Sequence, residues 1–290
     1  MKQILIAIIL FMGYHTAAFA QQSDWQEVEH VFGRKGMAQE KMLKVTFPRA
    51  DLSVKIGVVK ISPGLALTSW IGFEDTGKTV LMMGDLVLLQ KEVMTVVSKL
   101  SASGVQVTAL HNHLIGTEPP VMYLHFSGRG EPKKLAETMR SALSTTGTPM
   151  GAQEAASPAT TKVDWSRVEA IIGKSGSKKG NLLQMGFPRK EKIREDGMDI
   201  PPFMGVGTGI NLEMMDDGKV AATGDFVLIA DEVNPVIKAL IEGGITVSAV
   251  HSHMLQESPR LFFLHFWGVD EPEKIARGLK TALDQTDSVK

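Results

Sequence analysis

The sequence predicts an α+β protein built from two tandem homologous units, each an antiparallel sheet with helices. The second half of each unit is expected to run β-α-β-β-α, in ferredoxin-like order. Three observations predict this. First, the chain repeats itself: Asp24-Trp25 recurs as Asp164-Trp165, 140 residues on. At the same offset Phe47-Pro48-Arg49 recurs as Phe187-Pro188-Arg189, Gly84-Asp85 as Gly224-Asp225, and Glu131-Pro132 as Glu271-Pro272. His111, His113 and His125 return as His251, His253 and His265. Chance does not produce so many matches at one offset, so the unit is duplicated. Second, within each unit the apolar spacing switches between helical and strand periods. Third, turn residues separate the periodic segments.

Taken in order, the chain opens with Lys2, the apolar run Ile4 to Met12, and small residues ending Ala18-Phe19-Ala20. A basic start, a short apolar stretch and an Ala-x-Ala end predict a secretory signal peptide over 1–20. The run is short of the roughly 20 residues needed to span a bilayer. Repeat one is assigned to 21–144, a linker rich in Ala, Thr, Ser, Gly and Pro to 145–162, and repeat two to 163–290. Val28, Val31 and Phe32 predict a short helix capped by Ser23 or Asp24 and ended by Gly33. Strands are expected at Leu43 to Phe47, Leu65 to Phe73 and Thr79 to Leu89. Val93, Val96, Val97 and Leu100 form a helical stripe closed by Gly104. In repeat two the stripe is Val233, Val236, Ile237 and Leu240, with Asp231 as expected N-cap and Pro235 in the first turn. Val105 to Leu110 and Val121 to Phe126 read as two strands, and Leu135, Ala136, Met139 and Leu143 as the last helix. Asp284 to Lys290 reads as a solvated tail.

Composition excludes several roles. Hydrophobic residues make up 43% of the chain, enough for a sizeable core. A formal charge of −1 gives no field to attract nucleic acid or anionic lipid. There is no cysteine, so disulfides, thiolate metal sites and lipidation through cysteine are all excluded. The expected location is periplasmic or secreted, soluble, with no transmembrane segment after cleavage near Ala20. A cell-envelope partner is left open.

The chemical signal is histidine. Six of the seven histidines after residue 20 lie in two short windows, as His-x-His followed by a strand carrying a third. Alternation along a strand puts His111 and His113 on one side, and an antiparallel neighbour brings His125 beside them if the register agrees. The same holds for His251, His253 and His265. Three converging imidazoles suit a divalent transition metal such as zinc or copper. Glu118 and Glu257, in the intervening loops, are candidate fourth ligands or general bases. Asp85 and Asp225 are candidates to hydrogen-bond a ligating histidine and fix its tautomer; the alternative is a turn-facing carboxylate after a bulge glycine. The histidines are equally readable as exposed, or as buried and bonded to the backbone. Arg49 and Arg189 are candidates to meet an anion, or to be salt-bridged. Most methionines read as core filler. Trp70 and Trp267 are buried or pocket-lining. Gly205 to Gly209 lacks the Lys-Ser/Thr of a phosphate loop, and no motif calls for an organic cofactor.

The segments Leu-Ala-Leu-Thr-Ser-Trp (65–70), Gly-Asp-Leu-Val-Leu (84–88) and Thr-Ala-Leu-His-Asn-His (108–113) resemble the LppY/LpqO family. So do Gly-Asp-Phe-Val-Leu (224–228), Glu-Val-Asn-Pro-Val (232–236) and Pro-Arg-Leu-Phe-Phe-Leu-His-Phe-Trp (259–267). The resemblance spans both repeats and implies a bacterial exported protein with a domain of unknown function. It carries no settled chemistry, and the absence of cysteine departs from the lipoproteins that the family name implies. Three functions therefore compete: an exported metal-binding protein with one site per repeat or one shared site between the repeats, a metal-dependent or two-histidine hydrolase or phosphoesterase, and a cell-envelope interaction module with structural histidines. The phosphoesterase pattern needs a hydroxyl two residues after each histidine, which only Ser127 supplies.

Overall fold

The computed structural model describes residues 25–151 and 163–290. The expected signal peptide, the Ser23 and Asp24 caps and most of the linker fall outside the described residues. In the first unit α1 (Trp25–Phe32) leads into β1 (Met37–Gln39), β2 (Met42–Pro48), β3 (Val54–Ile56), β4 (Val59–Ile61), β5 (Thr68–Asp75) and β6 (Val80–Leu89). Then come α2 (Val93–Ala102), β7 (Gln106–His111), β8 (Thr117–Glu118), β9 (Val121–Gly130) and α3 (Pro132–Leu143). The second unit repeats the order: α4 (Ser166–Ile172), β10 (Ser177–Lys179), β11 (Leu182–Pro188), β12 (Ile193–Glu195), β13 (Met198–Ile200), β14 (Gly207–Met214) and β15 (Val220–Leu228). It closes with α5 (Ala230–Glu242), β16 (Thr246–His251), β17 (Glu257–Ser258), β18 (Phe262–Asp270) and α6 (Pro272–Leu283).

Each unit has one six-stranded sheet, in order β1-β2-β5-β6-β9-β7 and β10-β11-β14-β15-β18-β16, and one small sheet, β4-β3-β8 and β13-β12-β17. Neighbouring strands in the large sheets are antiparallel throughout. The helices cover one face: Val28, Val96, Leu100, Ala136 and Met139 pack on Leu43, Phe73, Leu86 and Phe126. The second unit is built alike around Ile210, Phe226 and Phe266.

The other face of each sheet meets the other unit. Met42, Leu81 and Met83 share an apolar cluster with Val227, Met254 and Phe263, and Val87 and Tyr123 share one with Leu182 and Ala221. The result is four layers: helices, sheet, sheet, helices. A strand covered on both faces needs apolar side chains at every position rather than every second one. That is why Val80–Leu89 is an almost unbroken apolar run and buried throughout except at Leu89. Burying one such side chain contributes about 2 kcal/mol.

Several expectations need correction. Leu65 and Leu67 are buried but precede β5, which starts at Thr68. The small strands β3 and β4 were missed because each has only three residues around a tight turn at Gly57, where φ is +57°. Helix α5 starts at Ala230, so Asp231 is not its cap, and Pro235 lies beyond the first turn. The residues read as linker from 145, and the tail from 284, are partly packed. Gly147 N–H donates to Glu92 at 2.9 Å, and Asp287 N–H donates to Glu232 at 2.7 Å. Thr286 and Ser288 are buried, and Ser288 bridges to Arg189. Both carboxylates in turn hold the arginines read as anion candidates. Arg49 Nη1 donates to Glu92 at 2.9 Å and to Val87 O at 2.6 Å, and Arg189 repeats this with Glu232 and Val227 O, both at 2.6 Å. Asp51 and Glu191 complete the two pairs. These arginines tie each helix start to its sheet and are closed to a ligand.

Candidate metal centre

Strand register decides where the imidazoles point. His111 lies opposite Tyr123 in the β7–β9 ladder, and residues directly opposite share a face. His125, two residues on, shares it too, and so does Asp85, which lies opposite His125 in the β6–β9 ladder. This is the face turned toward the second unit. His113 follows the end of β7 and folds back, its ring stacked on Tyr123 with centroids 3.5 Å apart. His251, His253 and His265 take the same places, with His253 stacked on Phe263 at 3.6 Å. A bulge in each ladder, between Val107 and Ala109 and between Val247 and Ala249, sets this alignment.

The six rings meet between the two sheets. His111 stacks on His251 at 3.5 Å, His113 on His265 at 3.7 Å, and His125 on His253 at 3.6 Å. Exchanging the units maps the first pair on itself and the other two on each other, so a pseudo-two-fold axis runs through the cluster. Two groups of ligand atoms lie within 4.8 Å of one another. One is the complete triad of the first unit, His111, His113 and His125, with His253 added. The other is the triad of the second unit, His251, His253 and His265, with His111 added.

All six Nε2 atoms are buried and have no hydrogen-bond partner among the described residues. An unpartnered buried polar atom costs free energy, and native structures hold few of them. The Nδ1 side differs. His265 Nδ1 lies 3.1 Å from Gly224 O, and His111 and His251 Nδ1 lie 3.5 and 3.4 Å from the carbonyls of Asn112 and Ser252. A proton on Nδ1 leaves the Nε2 lone pair free to ligate. Burial also disfavours the imidazolium. His111 is pushed down to about 3 by burial and by His251, and His251 to about 4 by burial. Burial and the neighbouring rings hold His113, His125, His253 and His265 well below the ordinary value.

Residues 26–145 and 166–285 each match the profile of a family described as Domain of Unknown Function (DUF1259). The chain belongs to this family. No curated protein matches it. Among solved structures it is similar to a trimeric bacterial microcompartment shell protein, PduB, at 13% identity, covering 88% of this chain and 91% of that one, with a TM-score of 0.22. It is also similar to the double-ringed trimeric shell protein MSM0271 from the RMM microcompartment, at 12% identity, 83% and 93% coverage and a TM-score of 0.19. Scores this low carry no argument about fold or role.

The acidic candidates of the two DUF1259 units part company. Asp85 sits within β6, not in a turn, and its carboxylate lies 3.9 Å from His113 Nε2 and 3.8 Å from His125 Nε2. It thus faces the nitrogens aimed into the cluster, rather than an Nδ1–H as a tautomer-fixing group does. Its Oδ1 is buried and has no hydrogen-bond partner among the described residues. Asp225 is also within a strand and takes a backbone hydrogen bond from Gly209. Burial raises both carboxyls, Asp225 to about 7. Glu118 and Glu257 do not join the cluster. Glu118 is exposed and pairs with Lys55 at 3.2 Å, while Glu257 accepts the Leu261 N–H at 3.1 Å and meets Arg260. Nor are they equivalent: Thr117 takes the place of Glu257, accepting the Val121 N–H.

A cavity of about 680 Å³ opens beside the cluster, reaching Asp85, His113, His125, Asp225 and His253. Lys44 and Trp70 line it, and sequence reading missed Lys44 entirely. The Lys44 ammonium lies 4.0 Å over the Trp70 ring and is pushed down to about 8 by burial, against the pull of Asp225 and Asp85. Gly205, Gly207 and Gly209 form part of the wall instead of a phosphate loop. Met83, Met204 and Met254 line a small pocket against His125 and His253.

Proposed function

We propose that this protein binds a divalent transition metal, zinc or copper, at a single centre shared by its two DUF1259 units. The observation that carries the reading is the pair of overlapping four-histidine groups with ligand atoms within 4.8 Å, together with six buried Nε2 atoms that have no partner among the described residues. Imidazole nitrogen suits zinc and copper, and a shell with bonds of about 2.1 Å is at most about 4.2 Å across, close to the 4.8 Å spread of each four-histidine group. Either triad, completed by one histidine of the other unit, supplies four ligands. Neutral imidazoles are ready to ligate without first losing a proton.

Measuring bound metal on the purified full chain tests the reading. The expected result is at least one ion per chain, lost when His111→Ala, His113→Ala, His251→Ala and His253→Ala are combined. Unchanged metal content in that variant defeats it. We propose further that residues 1–20 direct export, in keeping with the resemblance to the LppY/LpqO family, and that β6-α2-β7-β9-α3 is a ferredoxin-like arrangement interrupted by β8.

A further inference from the structure

The two halves of the centre are not equal. Lys44 has Gln184 as its counterpart in the second unit, and both reach to a loop of the opposite unit: Lys44 Nζ to Phe203 O at 3.3 Å, Gln184 Nε2 to Gly64 O at 3.3 Å. Trp70 has Gly209 as its counterpart, since each lies opposite the aspartate of its own unit, Asp85 or Asp225. A lysine and a tryptophan therefore stand in the first unit where the second has glutamine and glycine. In the first unit too, Asp85 faces two histidine nitrogens and its Oδ1 has no hydrogen-bond partner among the described residues. The cavity joins all of these to the histidines.

We propose that this cavity binds a small organic monocarboxylate, its head between Lys44 and the ion held by the first unit's histidines and its apolar body against Trp70 and Phe203. The proposal rests on the metal reading. Among the described residues Lys44 makes no carboxylate salt bridge within 4.0 Å; its close contacts are the Phe203 carbonyl and the faces of Trp70 and Phe203. Its charge is thus free for an anion. The aromatic lining is best covered by an apolar body, which an inorganic anion lacks.

Cobalt(II) is a spectroscopic stand-in for zinc, and its visible bands change when a ligand joins the ion. The full chain is loaded with cobalt and its metal content measured. It is then titrated with benzoate, and separately with inorganic phosphate. Benzoate is expected to change the bands saturably and more tightly than phosphate. Lys44→Gln, which installs the second unit's own residue, should keep its cobalt and weaken benzoate about tenfold or more, the loss of one charge-assisted hydrogen bond. Bands indifferent to benzoate, tighter binding of phosphate, or full benzoate affinity in Lys44→Gln each overturn the proposal and leave the metal reading standing. A chain that takes up no cobalt overturns both.

Discussion

Acid should unfold the metal-free protein from an unusually high pH, because its buried imidazoles refuse protons that the unfolded chain accepts. In the unfolded chain each histidine protonates near 6.5. In the fold His111 is held to about 3 and His251 to about 4, and the other four are lowered in the same direction. A depressed value in the folded state means stability that is present above 6.5 and lost as pH falls toward the folded values. Asp85 and Asp225 act in the opposite sense. Their raised values let the fold bind protons before unfolded carboxylates do near 3.8, which favours the fold as pH falls. Six imidazoles against two carboxyls leave an excess of four protons on the unfolded side. At about 1.4 kcal/mol per proton and pH unit, the limiting loss is about 5 kcal/mol per unit. A domain has roughly 5–15 kcal/mol in all. The assay is the urea midpoint, followed by circular dichroism from about pH 7 to about pH 5, with chelator and with saturating zinc. The chelated midpoint should fall steeply below about pH 6.5, and the zinc-loaded chain should hold its midpoint further into acid, since an ion bound only by the fold stabilises it. A chelated midpoint that stays flat across this range refutes the argument.

Three other outcomes follow from the geometry. Asp85→Asn should loosen the ion by about 10- to 100-fold in a chelator competition, and Asp225→Asn by less, because only Asp85 faces two Nε2 atoms; equal losses would contradict this. Glu232→Ala leaves the buried Arg189 without its main partner and should cost about 3–5 kcal/mol, lowering the thermal midpoint by roughly 10 °C and freeing residues 285–290 to proteolysis. Gly224→Ala should destabilise by about 3 kcal/mol or more in urea unfolding, since an added Cβ would fall 1.9 Å from Gly209 O on the neighbouring strand.

How much of this was legible beforehand can be read residue by residue. The duplication, the α+β alternation and the histidine triads follow from spacing, because periodicity and strand alternation are local properties. Spacing could not decide between two separate triads and one joined centre. That depends on which sheet face each unit turns to the other, and the apolar run of β6 says only that both faces are covered. Glu118 and Glu257 were singled out because they share a loop with the histidines, yet proximity along the chain does not aim a side chain. Lys44 was invisible because one lysine in an alternating strand looks like any solvent-facing position until a second sheet covers it. The register does explain Gly84-Asp85. A Cβ at Gly84 would fall 2.3 Å from Trp70 O, so glycine lets the strands close and sets Asp85 toward the histidines.

The pseudo-two-fold axis through His111 and His251 makes the chain a covalent dimer of itself. Were the halves separate molecules, the centre would exist only above the concentration at which they associate, and both copies would have to be identical. One polypeptide removes the dilution limit, because each half meets the other at a high effective concentration set by the connecting segment. It also frees the halves to diverge, so that lysine can stand in one where glutamine stands in the other.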